Sequence, residues 1–211
     1  GRGHGVAGPD PEGPEGAGKS TQVRRLGAAL RERGHEVLLT YEPGGTPVAD
    51  AIRRIFLSGD HAAITPLTEL FLICASRAQH VAEVIRPALE EGKIVLCDRF
   101  SPSTVVYQGY AGGVPVEVAR SVDETARQGL QPDLTIIIDL PADVGLRRNR
   151  NDNDADRMEG KGLEFHERVR EGYRRYAREA EEPCVVVAGE APEDDVAQQV
   201  LASVLERIEF P

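Results

Sequence analysis

The residues Gly13-Pro14-Glu15-Gly16-Ala17-Gly18-Lys19-Ser20 satisfy the spacing GxxxxGK[ST] and run directly into a helical pattern. Glycines so placed let successive backbone N–H groups turn inward into an anion nest, and the positive end of the following helix adds to it. In such a loop a lysine, here Lys19, reaches the terminal phosphates while a hydroxyl, here Ser20, joins a Mg²⁺ shell. The predicted chemistry is binding of a nucleoside triphosphate, with Gly13, Glu15, Gly16, Ala17, Gly18, Lys19, Ser20 and Thr21 around its phosphates.

A second pair, Asp98-Arg99, closes the apolar run Ile94–Cys97. Ligands of open α/β sheets collect outside the carboxyl ends of strands. A carboxylate there holds Mg²⁺ directly or through water. The planar guanidinium of Arg99 offers an acceptor phosphate a fork that lysine cannot copy. Phosphoryl transfer brings two polyanions together, so catalysis rests on positioning and charge neutralisation. The plainer reading of Asp98-Arg99 is a local surface ion pair.

The elements that must hold these groups show as an alternation. The runs Val37–Tyr41, Ile94–Cys97, Leu134–Leu140 and Cys184–Ala188 are short and continuously apolar, as strands buried on both faces are. Helical patterns lie between them. Val23, Leu26 and Leu30 share one face, and Arg31, Arg33 and Gly34 suit the end of that helix. Thr65-Pro66 marks another start, with Leu67, Leu70, Phe71, Cys74, Ala78, Val81 and Ile85 predicted on its inner face. Phe165, Val169, Tyr173 and Tyr176 form a third stripe, and Val196, Val200, Val204 and Ile208 a last one; both read as core packing. The alternation predicts a parallel sheet covered on both faces.

One local conflict stands before the phosphate loop, where a central strand belongs but the chain reads Val6-Ala7-Gly8-Pro9-Asp10-Pro11-Glu12. Proline has no N–H to give a ladder. Because Pro9 and Pro11 alternate, both missing donors face the same neighbour, and pairing with the other neighbour survives. The expected first strand is short, irregular or missing.

Composition bounds the rest. A chain of 211 residues, 40% hydrophobic and 28% charged, suits a single globular domain over residues 1–211 and excludes disorder. No run approaches the roughly 18 apolar residues of a membrane span. Gly1 to Glu12 are Gly/Pro-rich and lack the apolar run of a secretory signal. A net charge of −10 argues against a general nucleic-acid or membrane-surface binder, yet leaves room for an anion held by a few local donors. Cys74, Cys97 and Cys184 form no CxxC pair and read as buried small hydrophobes in a reducing cytosol. Lys19, Lys93 and Lys161 are the only lysines, so one in the phosphate loop stands out.

Beyond the loop, the chain resembles the bacterial thymidylate kinases from Glu12 to Ile208. Four stretches carry the resemblance in order: Gly13–Thr21 (GPEGAGKST), Glu42–Pro47 (EPGGTP), Asp98–Gly109 (DRFSPSTVVYQG) and Pro132–Pro141 (PDLTIIIDLP). Arg77-Ala78-Gln79-His80 and the Phe165–Tyr173 helix also match. The resemblance implies a P-loop nucleoside-monophosphate kinase fold, an α/β architecture whose five-stranded parallel sheet has the order 2-3-1-4-5, here with a degenerate first strand. It implies transfer of the γ-phosphoryl group of MgATP to dTMP, giving dTDP and ADP, by a homodimer. It further implies that Glu15 faces the deoxyribose 3′-hydroxyl, that Arg77 and Thr104 meet the thymine edge, and that Tyr107 crowds the sugar C2′. Ser103 reads equally as a ligand contact or a helix cap. Gly145–Glu159, with Arg147, Arg148, Arg150 and Arg157, falls where the family places its mobile lid. Arg150 and Arg147 are the arginines expected to reach ATP.

Three features depart from the family pattern. Tyr41 stands where the family often has Arg before Glu-Pro-Gly-Gly-Thr. Ile73 occupies a position where a Phe usually stacks on thymine; stacking is worth about 1–3 kcal/mol, so base binding weakened by up to about a hundredfold is expected. Asp152, Asp154 and Asp156 fill a lid stretch that is often basic. These leave two alternatives open: a kinase for another deoxynucleoside monophosphate, and a nucleotide-binding paralogue impaired in transfer.

Overall fold

The computed structural model describes residues 6–58, 64–149 and 157–210. Its strands are β1 (Asp10–Glu12), β2 (Val37–Tyr41), β3 (Ile94–Asp98), β4 (Thr135–Asp139) and β5 (Cys184–Ala188). All pairings are parallel: β2 with β3, and β1 with β4, which pairs in turn with β5. Among the described residues a single bridge, Ala7 to Val95, joins the two groups, so the lateral order is 2-3-1-4-5 with a break beside the first strand.

The prolines account for the break. Gly8 N–H still donates to the Val95 carbonyl at 2.9 Å, but from Asp10 onward the strand's donors turn to β4, beginning with Asp10 N–H to the Leu134 carbonyl at 3.0 Å. Pro9 and Pro11 face β3 with nothing to give. In place of the lost ladder, Asp10 Oδ1 accepts from the Cys97 N–H at 3.0 Å. The expected short, irregular strand therefore forms, and it keeps the neighbour that the prolines do not face.

Nine α-helices are described: α1 (Lys19–Glu32), α2 (Pro47–Leu57), α3 (Pro66–His80), α4 (Arg86–Glu90), α5 (Ser101–Thr104), α6 (Val116–Arg127), α7 (Ala142–Asn149), α8 (Leu163–Glu179) and α9 (Glu193–Arg207). A π-helical stretch, Val81–Ile85, carries α3 into α4, and another, Val105–Tyr110, extends α5. Successive strand residues point to opposite faces. Thus Ile136 packs with Val23, Leu26 and Leu30 of α1 and Val196, Val200 and Val204 of α9. Ile137 packs with Val105, Val106 and the Phe165, Val169, Tyr173 and Tyr176 stripe of α8. Burying each such large apolar side chain contributes about 1.5–3 kcal/mol.

The inner face of α3 needs correction. Leu70, Cys74, Val81 and Ile85 are buried as expected, but Leu67 and Phe71 are 47% and 53% exposed. At about 100° per residue they lie on the flank of the stripe, whose centre is Leu70, Ile73, Cys74 and Arg77. Cys74, Cys97 and Cys184 are free thiols, the last only half-buried. Among the described residues no helix is long and apolar enough to cross a membrane.

Candidate active site

The phosphate loop leaves β1 and enters α1 through Gly18, whose φ of +84° is left-handed backbone that suits glycine. A Cβ there would meet nothing within 4 Å, whereas a Cβ on Gly16 would lie 2.3 Å from the Gly145 carbonyl oxygen. Gly16 thus lets the loop rest on α7, and Gly18 leaves its outer side open. Lys19, Ser20 and Thr21 begin α1, so their N–H groups have no intrahelical acceptor. Gly13 and Ala17 shape the loop from behind: the Gly13 carbonyl accepts from Arg99 at 3.3 Å, and Ala17 is buried.

Lys19 Nζ donates to the Pro14 carbonyl at 2.8 Å. Burial and the nearby Arg99 charge lower its pKa to about 8, against the opposing pull of Glu15 and Asp98. The Ser20 hydroxyl donates to the Asp98 carboxylate at the end of β3. These two are hard oxygen donors beside the phosphate loop, a set that fits Mg²⁺.

Arg99 follows with a φ of +69°, unusual for a residue with a side chain. Its Nη2 donates to Glu15 Oε1 at 2.6 Å, and its guanidinium lies 5.1 Å from the Tyr107 ring centroid. The Tyr107 hydroxyl donates to the same Glu15 oxygen at 3.0 Å. Burial alone would raise the pKa of Glu15, but Arg99, Lys19 and the Tyr107 hydrogen bond outweigh it and hold the carboxyl at about 2. Beneath this cluster lies Glu12, which accepts from Phe100 N–H at 2.6 Å, the Ser103 hydroxyl at 2.5 Å and the Tyr173 hydroxyl at 2.9 Å. Ser103 is therefore tied to β1 and caps no helix.

Two cavities meet at this cluster. The larger, about 730 Å³, is lined by Gly16, Gly18, Lys19, Ser20, Thr21, Tyr41, Asp98 and Arg148 among others. The smaller, about 120 Å³, is lined by Phe56, Ile73, Arg77, Ser103, Thr104, Tyr107, Gln108 and Met158 among others. Glu15, Glu42, Arg53 and Arg99 line both. Arg77 lines the smaller cavity from within a buried ionic cluster: Nε donates to Glu42 at 2.7 Å, and Nη1 to the Thr104 hydroxyl at 2.7 Å and to the Asp123 carboxylate.

The arginines of the stretch 145–159 divide. Arg147 is exposed, donates to Asp143 at 2.7 Å and lies outside the larger cavity. Its neighbour Arg148 lines that cavity and reaches the carbonyls of Gly16 and Gly189, both at 3.4 Å. Arg150, Asp152, Asp154 and Asp156 lie outside the described residues. Sequence reasoning missed Arg53, Phe56, Gln108 and Met158. The first two lie three residues apart on one face of α2, whose start is signalled by Thr46-Pro47: the Thr46 hydroxyl accepts from Ala49 N–H at 3.0 Å. Arg53 Nη1 donates to the Pro43 carbonyl at 2.8 Å.

The family model described as thymidylate kinase matches residues 12–200. The chain is 46% identical over 197 residues to the thymidylate kinase of Caulobacter vibrioides, spanning 93% of this chain and 95% of that one. It is 44% identical over 206 residues to that of Syntrophotalea carbinolica, 95% of each. The crystal structure of thymidylate kinase from Ehrlichia chaffeensis is similar with a TM-score of 0.73 and 31% identity, covering 92% of this chain and 96% of that one.

Proposed function

The chain belongs to the thymidylate kinase family, and from that membership we infer that it transfers the γ-phosphoryl group of ATP to dTMP, giving dTDP and ADP. The observation that carries the reading is the shared wall: Glu15, Arg53 and Arg99 line both a cavity built on the phosphate loop and a smaller, partly apolar one. Transfer requires the attacking and leaving oxygens in line, with charge spread over the equatorial oxygens of the moving group. Donor and acceptor phosphates approaching from the two sides meet at that wall.

Each residue has a physical task in this proposal. The open amides of the loop and the first turn of α1 receive the ATP phosphates, with Lys19 neutralising charge toward the shared wall. Arg99 and Arg53 hold the dTMP phosphate. Ionised Glu15, an acceptor only, faces the 3′-hydroxyl, while the Tyr107 ring leaves no room at C2′. Arg77 and Thr104 present donors to the thymine edge, Ile73 forms an apolar side of the base pocket, and Ser103 supports Arg99. Ser20 and Asp98 would hold Mg²⁺, which supplies further charge neutralisation on the ATP phosphates. On the ATP side, Arg148 is the described arginine of residues 145–159 proposed to contact ATP, and Arg150, which lies outside the described residues, is proposed as a second contact.

One nucleoside-monophosphate kinase domain, a homodimer and a cytoplasmic setting complete the proposal. The free thiols support a reducing compartment. The exposed Leu67 and Phe71 of α3, Val48 and Ile55 of α2, and Val118 of α6 lie on helices that pack on one another and support an interface there. The test is ADP release with MgATP across a panel of nucleoside monophosphates. Turnover with dTMP well above the rest is expected, and Arg99→Lys should lower kcat/KM for dTMP by about a hundredfold by losing the planar fork. A different preferred acceptor, or ATP binding without turnover, would overturn the reading.

A further inference from the structure

Glu69 lines neither cavity, yet it is 2% exposed in the first turn of α3. Its Oε1 accepts from Arg157 Nη1 at 2.5 Å and from Lys161 Nζ at 2.8 Å. One buried carboxylate oxygen thus clamps both ends of the short stretch 157–161. Arg157 is further sewn to α2: its backbone N–H donates to the Leu57 carbonyl at 3.2 Å and its Nε to the Phe56 carbonyl at 2.9 Å. Its guanidinium lies 5.1 Å from the Phe56 ring centroid.

Between the clamped ends, Met158 lines the smaller cavity and Glu159 the larger one. Phe56 and Leu57, held by the same arginine, also line the smaller cavity. We propose that Glu69 is a positioning residue for the acceptor nucleotide: through Arg157 and Lys161 it fixes Met158, Phe56 and Leu57 as the apolar wall on which the base packs. The identity of that acceptor rests on the dTMP kinase reading.

The physics favours a single point of failure. Two cations share one buried carboxylate, so removing its charge leaves both, among the described residues, without a counter-charge, a strongly unfavourable state for the buried Arg157. Among the described residues Glu69 is the carboxylate that Arg157 pairs with, and its buried Nη2 lacks a hydrogen-bond partner. Relief comes when the stretch 157–161 lifts toward water, and Met158 leaves the cavity with it.

The test is Glu69→Gln, which keeps the size of the side chain and removes its charge. Hydrogen–deuterium exchange of the free protein should become faster across 157–161. The KM for dTMP should rise about tenfold, with kcat at saturation and the Kd for ATP alone each within about threefold of wild type. A merely structural role would lower the melting temperature and the active fraction, hence kcat, and leave KM in place. Unchanged exchange, an unchanged KM in a folded variant, or a fall in kcat alone overturns the proposal. Should Glu69→Gln not fold, Lys161→Met removes the more exposed partner and is expected to raise KM about threefold; an unchanged KM then overturns it. Wild-type turnover of dTMP in the same assay separates the two inferences, since its absence removes the kinase reading itself. Turnover by wild type with Glu69→Gln matching it removes only the positioning role.

Discussion

Replacing Lys19 with Met should make the protein more stable while disabling it. Lys19 is 7% exposed and its ammonium feels the charge of Arg99, and burial with that like charge lowers its pKa from 10.5 to about 8. At about 1.4 kcal/mol per pH unit, the folded state carries about 3 kcal/mol of strain for keeping Lys19 charged at pH 7. The sign follows from proton counting: below about pH 8 both states hold the proton and the cost is full. Between about 8 and 10.5 the folded state gives it up first, so wild-type stability climbs with pH and the cost fades. Methionine keeps the apolar stem without the charge. In urea titrations of the nucleotide-free protein in chelator, Lys19→Met should exceed wild type at pH 7 by up to about 3 kcal/mol, the gap narrowing toward pH 10. Its kcat should fall by orders of magnitude, because the charge acts mainly in the transition state. In wild type, kcat/KM for ATP should decline above about pH 8, where the free enzyme loses the proton. A variant no more stable than wild type at pH 7, or a gap that ignores pH, refutes this reasoning.

Ile73→Phe should lower the KM for dTMP by up to about tenfold, since Ile73 faces the smaller cavity with Phe56, Leu57 and Met158 and a ring there adds a stacking surface; an unchanged or higher KM in steady-state kinetics would put the base elsewhere. Asp10→Asn should raise the melting temperature at pH 7 by a few degrees. Burial pushes the Asp10 carboxyl well above its ordinary value; the Cys97 N–H opposes this, and the carboxylates of Glu12, Glu42 and Asp133 reinforce it. Stability tied to the protonated acid is complete below the ordinary value and is lost as pH rises through the folded one, so the advantage of Asn should vanish in acid. Melting curves at pH 7 and pH 4 that coincide for both proteins would count against it.

How much was legible in the chain depends on how local the controlling physics is. β3 and β4 are covered on both faces, and such burial prints itself as an unbroken apolar run in Ile94–Cys97 and Leu134–Leu140. The irregular first strand was legible for the opposite reason: a missing N–H on Pro9 and Pro11 is a property of the residue, whatever surrounds it. That Asp10 would offer a side-chain acceptor to Cys97 was not legible, because it depends on the neighbouring strand's position. Leu67 and Phe71 mark another limit. A stripe identifies apolar residues but not which of them the same chain covers, and the helix buried Arg77 with Glu42 and Asp123 in preference to Phe71.

Arg147 and Arg148 show what a sequence needs before it can choose between neighbours. Arg147 and Arg148 are chemically identical and adjacent, so composition and motif cannot rank them; only the rotational phase of α7 can. That phase is set by Gly145, where a Cβ would lie 2.1 Å from the Glu15 carbonyl oxygen, so this glycine must face the phosphate loop. On a helix, the residue three further on shares that face and the residue two further on does not. Arg148 is therefore delivered to the loop and the Gly189 carbonyl, while Arg147 turns to Asp143 and solvent. A glycine opposite a phosphate loop and an arginine three positions later constitute a readable signal, because both follow from the same close approach of two backbones.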